Sequence, residues 1–184
     1  MSQTKYARAE VGPRIESFLK TVLDRAGLKL KFDIREGETR HPDFENPDVV
    51  VRFSGPDVDM LLANKAELLL ALEHLTMESL RMPPEDHSLL CFDANDYRML
   101  RIEELRLSAV TAAERVQRSG VPFRFNPMNS RERRIIHLAL RDFPAVRSES
   151  AGIGPHRQVV IYPAGMPAQP QAATAAAAPR SRRR

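Results

Sequence analysis

Arg131-Glu132-Arg133-Arg134-Ile135-Ile136-His137-Leu138-Ala139-Leu140 is the stretch of this sequence whose residue types and spacing can do chemistry. On a helix, residues four apart share a face, so Arg133 and His137 stand side by side while Ile136, Leu140 and Ile135 turn toward a core. A guanidinium fork holds phosphate oxygens bidentately, and an imidazole donates a hydrogen bond to phosphate or stacks on a base. Together they suit the grip of one nucleotide. Arg131 and Arg134 enlarge the basic surface. The loop Gly152-Ile153-Gly154-Pro155-His156-Arg157 can bring His156 and Arg157 to the same ligand, and its glycine-permitted bends can present backbone amides to an anion. The same residues also read as a solvated charged face with an internally satisfied histidine, and chemistry alone leaves both readings open.

Catalytic arrangements are harder to find. His41, His74, His87, His137 and His156 make no spaced metal cluster, no glycine-rich phosphate loop precedes a lysine-bearing helix, and Cys91 has no histidine base near it in sequence. The expectation is a non-enzyme with no catalytic residue, no metal and no cofactor. Glu103 and Glu104 read as a wet helix face. Phe123, Phe125 and Tyr162 offer stacking platforms, but the alternation of Phe123 and Phe125 fits better with packing on one face of a small sheet. The single cysteine, in Ser88-Leu89-Leu90-Cys91-Phe92, excludes an intrachain disulfide and a thiolate cluster, and reads as a small buried hydrophobe.

The elements that must position these residues follow from periodicity. Val11, Ile15, Phe18, Leu19 and Val22 predict a helix from Ala7 to Arg25, stopped by Gly27. Alternation from Leu28 to Ile34 predicts a strand, and Val49 to Phe53 a second, joined by a polar return. A helical pattern runs from Asp57 to about Leu80 and is closed by Pro83-Pro84; residues 88 to 92 give a third strand. A long helix is expected from Asp96 to Arg118 with Gly120 as its stop. Thereafter come a short strand through Val121, Phe123 and Phe125, a turn in which Asn129 or Ser130 caps the helix from Arg131 to Arg141, and two strands, Ala145 to Glu149 and Gln158 to Tyr162.

At 184 residues, 42% hydrophobic and 28% charged, the chain has the composition of a soluble globular protein of one ordinary domain or two small ones. The net charge of +4 is unevenly spread. Residues 1 to 120 hold 17 Lys and Arg against 21 Asp and Glu, whereas residues 121 to 163 hold 7 Arg against 3 acids. Arg180, Arg182, Arg183 and Arg184 add charge to a Pro-, Ala- and Gln-rich end that reads as disordered, and positive charge thus accumulates where a polyanion can use it. No run of about 18 apolar residues occurs, and Met1 to Tyr6 lacks the apolar segment of a signal peptide, so the expected compartment is the cytoplasm, without membrane insertion.

The run from Pro127 to His137, with Ser148-Glu149-Ser150-Ala151-Gly152 and Arg157-Gln158-Val159-Val160-Ile161, closely resembles the R-three-H domain of bacterial Jag-type (KhpB-like) proteins. In that family the arginine and histidine separated by three residues belong to a single-stranded nucleic-acid-binding surface, which the resemblance places on Arg133 and His137. The preceding region is similar to the family's KH domain, and Asp93 to Arg98 with the helix that follows resembles its connection to the second domain. The family's frequent N-terminal Jag module is expected to be absent, because only a few residues precede the first helix. A KH domain clamps the nucleic-acid backbone with a Gly-x-x-Gly loop; the matching positions here read Ala63-Asn64-Lys65-Ala66. Alanine favours continued helix, so the loop is expected to be absorbed into a longer one, with only a weak contact left to Asn64 and Lys65.

These readings converge on an α+β chain of two small domains. A KH-like helix and three-stranded sheet unit spans 7–95, a connecting helix 96–120, a small R-three-H-like α/β unit 121–163, and a basic tail 164–184. The resemblance implies single-stranded RNA binding, with single-stranded DNA as a further ligand, in post-transcriptional regulation linked to cell growth or division. A small KH-domain partner, and an adapter role for the altered KH-like domain, are the alternative it permits.

Overall fold

The computed structural model describes residues 4–37 and 42–167. They fall into two compact units, divided between Leu107 and Ser108. The first contains α1 (Arg8–Ala26), β1 (Lys31–Glu36), β2 (Val49–Ser54), α2 (Val58–Leu80) and β3 (Leu90–Ala94), and the division falls within α3 (Tyr97–Ser119). The second contains β4 (Phe123–Arg124), α4 (Ser130–Ala139), β5 (Val146–Ala151) and β6 (Gln158–Pro163). The α+β class and the helix-strand-strand-helix-strand order read from the sequence are both present.

In the first unit the sheet order is β1-β2-β3, with β1 and β2 antiparallel and β2 and β3 parallel. Alternation sends Val49, Val51, Phe53, Leu90, Phe92 and Ala94 to one face, where they join Ile15 and Leu19 of α1 and Leu61 and Leu69 of α2 in the core. β1 begins at Lys31, three residues later than the alternation suggests. Gly27 adopts a left-handed conformation at the end of α1, and the Leu28 amide turns back to the Leu23 carbonyl at 3.0 Å, so Leu28 closes the helix and does not open the strand. Likewise Pro84–Leu89 forms a 3-10 turn that delays β3 to Leu90.

α2 corrects a larger expectation. The four residues Ala63 to Ala66 are not absorbed into a longer helix: Ala63 is extended, and Asn64, Lys65 and Ala66 have φ of 51°, 63° and 60°. Each left-handed non-glycine residue costs roughly 1–2 kcal/mol, so helix propensity has been overridden by tertiary contacts. Ala66 is fully buried in the core, and the Lys65 carbonyl accepts a hydrogen bond from the Tyr97 hydroxyl at 3.1 Å. Asn64 and Lys65 are left exposed at the bend.

The start of α3 is fastened by Arg98, whose side chain is largely buried. It pairs with Glu45 at 3.0 Å and with Glu73, and donates to the Phe92 carbonyl at 2.7 Å. Burial works against its charge, but the Glu73 and Glu45 carboxylates beside it outweigh burial and hold the guanidinium protonated. Cys91 is buried, in keeping with its apolar setting.

The second unit has sheet order β4-β6-β5, antiparallel throughout. Val159 and Ile161 of β6 and Ile136 of α4 are fully buried, and α4 packs on β5 and β6. β4 is only two residues long. The Phe123 and Phe125 rings meet edge to face at 5.1 Å, the Arg115 guanidinium lies 5.8 Å from the Phe123 ring, and both phenylalanines are half-buried, which fits packing better than a stacking platform. Tyr162 is buried, with the Arg147 guanidinium over its ring at 4.5 Å. Past β6, Ala164–Pro167 remain attached: the Ala164 amide donates to Ala145, and Arg147 reaches the carbonyls of Met166 and Pro167. The rest of the expected tail, 168–184, lies outside the described residues.

Candidate nucleic-acid interface

α4 begins at a capping box. The Asn129 side chain accepts from the Glu132 amide at 2.9 Å, and Glu132 returns a carboxylate oxygen to the Asn129 amide at 3.2 Å. Two backbone donors at the helix start are thereby satisfied, which fixes where the helix begins and so which residues share a face. Ile135 and Ile136 go into the core, leaving Arg133 and His137 half-buried on the same flank.

Two further elements complete the surroundings of that flank. Ser148 and Ser150 alternate along β5 and therefore point the same way; their hydroxyls meet His137 Nδ1 at 2.7 Å and Nε2 at 2.9 Å. The Met128 carbonyl accepts from Arg133 Nη1 at 2.7 Å, while the Met128 amide donates to the Arg157 carbonyl at 3.1 Å. Met128 thus ties the beginning of α4 to the end of the β5–β6 connection.

Arg133, His137 and Arg157 are close enough to feel one another's charge. Burial pulls the His137 imidazolium below its ordinary range, and Arg133 and then Arg157 pull it further. Burial and then Arg157 likewise lower the Arg133 guanidinium. Like charges held in a partly desolvated corner disfavour each other, and an anion placed among them relieves the repulsion. His137 is therefore biased toward the neutral form, in which one ring nitrogen donates to a serine and the other accepts from one. Protonation would make both nitrogens donors, so that the serine that donates to the ring in its neutral form would have to accept from it instead.

The remaining sequence candidates are distributed differently. Arg134 is exposed about 100° round the helix from Arg133, and Arg131, half-buried, about 200° round. His156 is exposed on the 3-10 turn Gly154–His156, next to Arg157. Asn64 and Lys65 belong to the other unit. Ser148, Ser150 and the Met128 backbone are site groups that the sequence does not announce. Ser148 and Ser150 fall in a run that carries the R-three-H resemblance, but their Ser-x-Ser spacing assigns them no role until a histidine is known to face it.

No helix among the described residues is long and apolar enough to cross a membrane, and no group of three or more metal-ligating side chains occurs among them. Comparison with known proteins finds the R-three-H domain over residues 103–163, a match that begins inside α3 and covers the whole of the site. The chain is 29% identical over 144 residues to the RNA-binding protein KhpB of Clostridium symbiosum, covering 78% of this chain and 62% of that protein. It is 32% identical over 146 residues to the Bacillus subtilis (strain 168) protein of the same name, with 78% and 66% covered. For the Lactiplantibacillus plantarum protein of that name the identity is 26% over 170 residues, with 87% and 50% covered. The chain thus spans less than two thirds of the length of these curated relatives. Residues 103–163 are an R-three-H domain, and the chain is a homologue of the bacterial Jag-type KhpB proteins.

Proposed function

We propose that the chain binds single-stranded RNA without catalysing a reaction, and that Arg133 and Arg157 hold its phosphates while His137 sits between them as a positioned, titratable ring. The observation that carries this reading is the juxtaposition of Arg133, His137 and Arg157, each arginine disfavouring the protonated imidazole in the absence of a counter-anion. Arg133 keeps N–H groups beyond the one given to Met128, and a guanidinium with free donors meets phosphate oxygens in the plane of its fork. Neutral His137 has both ring nitrogens engaged by serines, so it meets a strand through its ring face. Arg131, Arg134 and His156 supply a more diffuse field around this centre, and single-stranded DNA offers the same phosphates.

Asn64 and Lys65 form a secondary contact. Their exposed left-handed bend presents a single positive side chain, too little to anchor a strand alone. The acidic balance of residues 1–120 supports an adapter role for the first unit, with a small KH-domain protein as its partner, and the cytoplasm is the compartment where such partners and RNA meet.

The test is Arg133→Ala in RNA-binding titrations across salt concentration. With the fold intact by circular dichroism, affinity should fall and the slope of log K on log salt should shrink by about 0.7, one phosphate contact on a single strand. Unchanged affinity and slope would defeat the reading. Pull-downs with and without ribonuclease address the adapter role: a protein contact that survives complete RNA removal supports it, and loss of every contact argues against it.

A further inference from the structure

We propose that Ile153 is a base-contacting residue, an apolar wedge on which an unpaired nucleobase packs while Arg157 and Arg133 hold the adjoining phosphates. This rests on the assignment of the Arg133, His137 and Arg157 surface to a nucleic-acid strand, and it names which part of the nucleotide that surface recognises.

Ile153 is 70% exposed, more than any other large apolar side chain among the described residues. Its exposure is built into the turn. Gly152 and Gly154 flank it with φ of +88° and +54°, conformations that side-chain-bearing residues rarely adopt. A Cβ on Gly152 would lie 2.6 Å from the His156 carbonyl oxygen, so the two sides of the turn approach as closely as only glycine permits. Between the glycines Ile153 is extended, and its carbonyl accepts from the His156 amide at 3.2 Å. The Arg157 amide closes the same turn on Gly154 at 3.2 Å.

The turn is also anchored to the cationic cluster. The Arg157 carbonyl accepts from Met128, whose own carbonyl accepts from Arg133. A continuous set of hydrogen bonds therefore fixes Ile153 one short turn away from the guanidinium that neighbours Arg133 and His137. A β-branched side chain is stiff as well, so little freedom is lost when something packs on it.

A nucleotide has the matching chemistry: a flat ring whose faces are weakly polar, joined through a sugar to a phosphodiester. Proteins that insert apolar side chains between bases use this contact; on an unpaired base the face is already accessible, whereas in a duplex a base step must first be unstacked, at about a few kcal/mol. In a continuous duplex both faces are stacked. Ile153 thus favours single strands over duplex on grounds independent of charge, which both forms carry.

The experiment compares the full chain with Ile153→Ser, Ile153→Phe and Arg133→Ala. Fluorescence anisotropy is measured on a short single-stranded RNA of mixed sequence and on an abasic strand with the same number of phosphates. Ile153→Ser should weaken the intact strand about fivefold, leave its salt slope unchanged, and have no effect on the abasic strand. Ile153→Phe should keep or tighten the binding of the intact strand. Arg133→Ala should weaken both strands and reduce both slopes. If Arg133→Ala acts so but Ile153→Ser changes nothing, or weakens both strands alike, the base contact is overturned and the cationic surface stands. If Arg133→Ala is itself without effect, the surface assignment fails first.

Discussion

The Tyr97 hydroxyl donates to the Lys65 carbonyl at 3.1 Å, so the residue that opens α3 braces the middle of the left-handed bend in α2. Replacing Lys65 by glycine should therefore stabilise the protein by about 0.5–1 kcal/mol in urea unfolding: the relieved strain of roughly 1–2 kcal/mol exceeds glycine's entropic cost of about 0.5–1 kcal/mol. In a continuous helix the same substitution would destabilise by about 1 kcal/mol, and that sign would contradict the bend. Tyr97→Phe should lose about 1 kcal/mol.

His137 imposes a pH dependence whose sign is fixed. Burial, Arg133 and Arg157 lower its folded-state pKa below the ordinary 6.5, so the unfolded chain takes up the proton first as pH falls. Its contribution is complete above about pH 6.5 and is lost as pH drops through that value toward the folded pKa. Urea unfolding across this window should show stability rising with pH, and His137→Gln should flatten the rise. A bound polyanion acts oppositely, raising the imidazolium pKa, so RNA affinity should increase from about pH 7.5 to about pH 6. An affinity that falls over that range would contradict the placement of phosphate near His137.

Asn129→Ala removes the capping box and should cost about 1 kcal/mol. Asn129→Ser should cost less, because a hydroxyl can still accept from the Glu132 amide. Equal losses in the two variants, measured by thermal or urea unfolding, would show that the cap is not what secures α4.

Glu73 is buried and takes hydrogen bonds from both the Phe92 amide at 2.7 Å and Arg98. Glu73→Ala leaves a buried guanidinium and a strand amide short of their acceptor, and should destabilise the first unit by about 3–5 kcal/mol. Hydrogen exchange at β3 amides is the direct readout; a loss under about 1 kcal/mol would mean that Glu45 alone suffices for Arg98.

Much of this is legible in the sequence because the physics behind it is local. The 3.6-residue stripe Val11-Ile15-Leu19 writes α1, the β-branched run Val49-Val50-Val51 writes β2, and Asn129-Ser130 announces the start of α4 without deciding which of the two is the cap. The pairing of Arg133 with His137 likewise follows from helix geometry. The bend at Ala63–Ala66 is hidden because intrinsic propensity argues for helix there, while the burial of Ala66 and the Tyr97 bond that decide the matter come from residues distant in sequence. Ser148 and Ser150 stay hidden for the same reason: their role exists only once β5 lies beside α4.

Crosslinking of thiouridine-substituted single-stranded RNA to the full chain, with adducts mapped residue by residue, tests the central claim most directly. Adducts should concentrate on 128–137 and 152–158 and disappear in Arg133→Ala. Adducts confined to other segments, with the α4 flank still open to chemical modification in the bound protein, would contradict it.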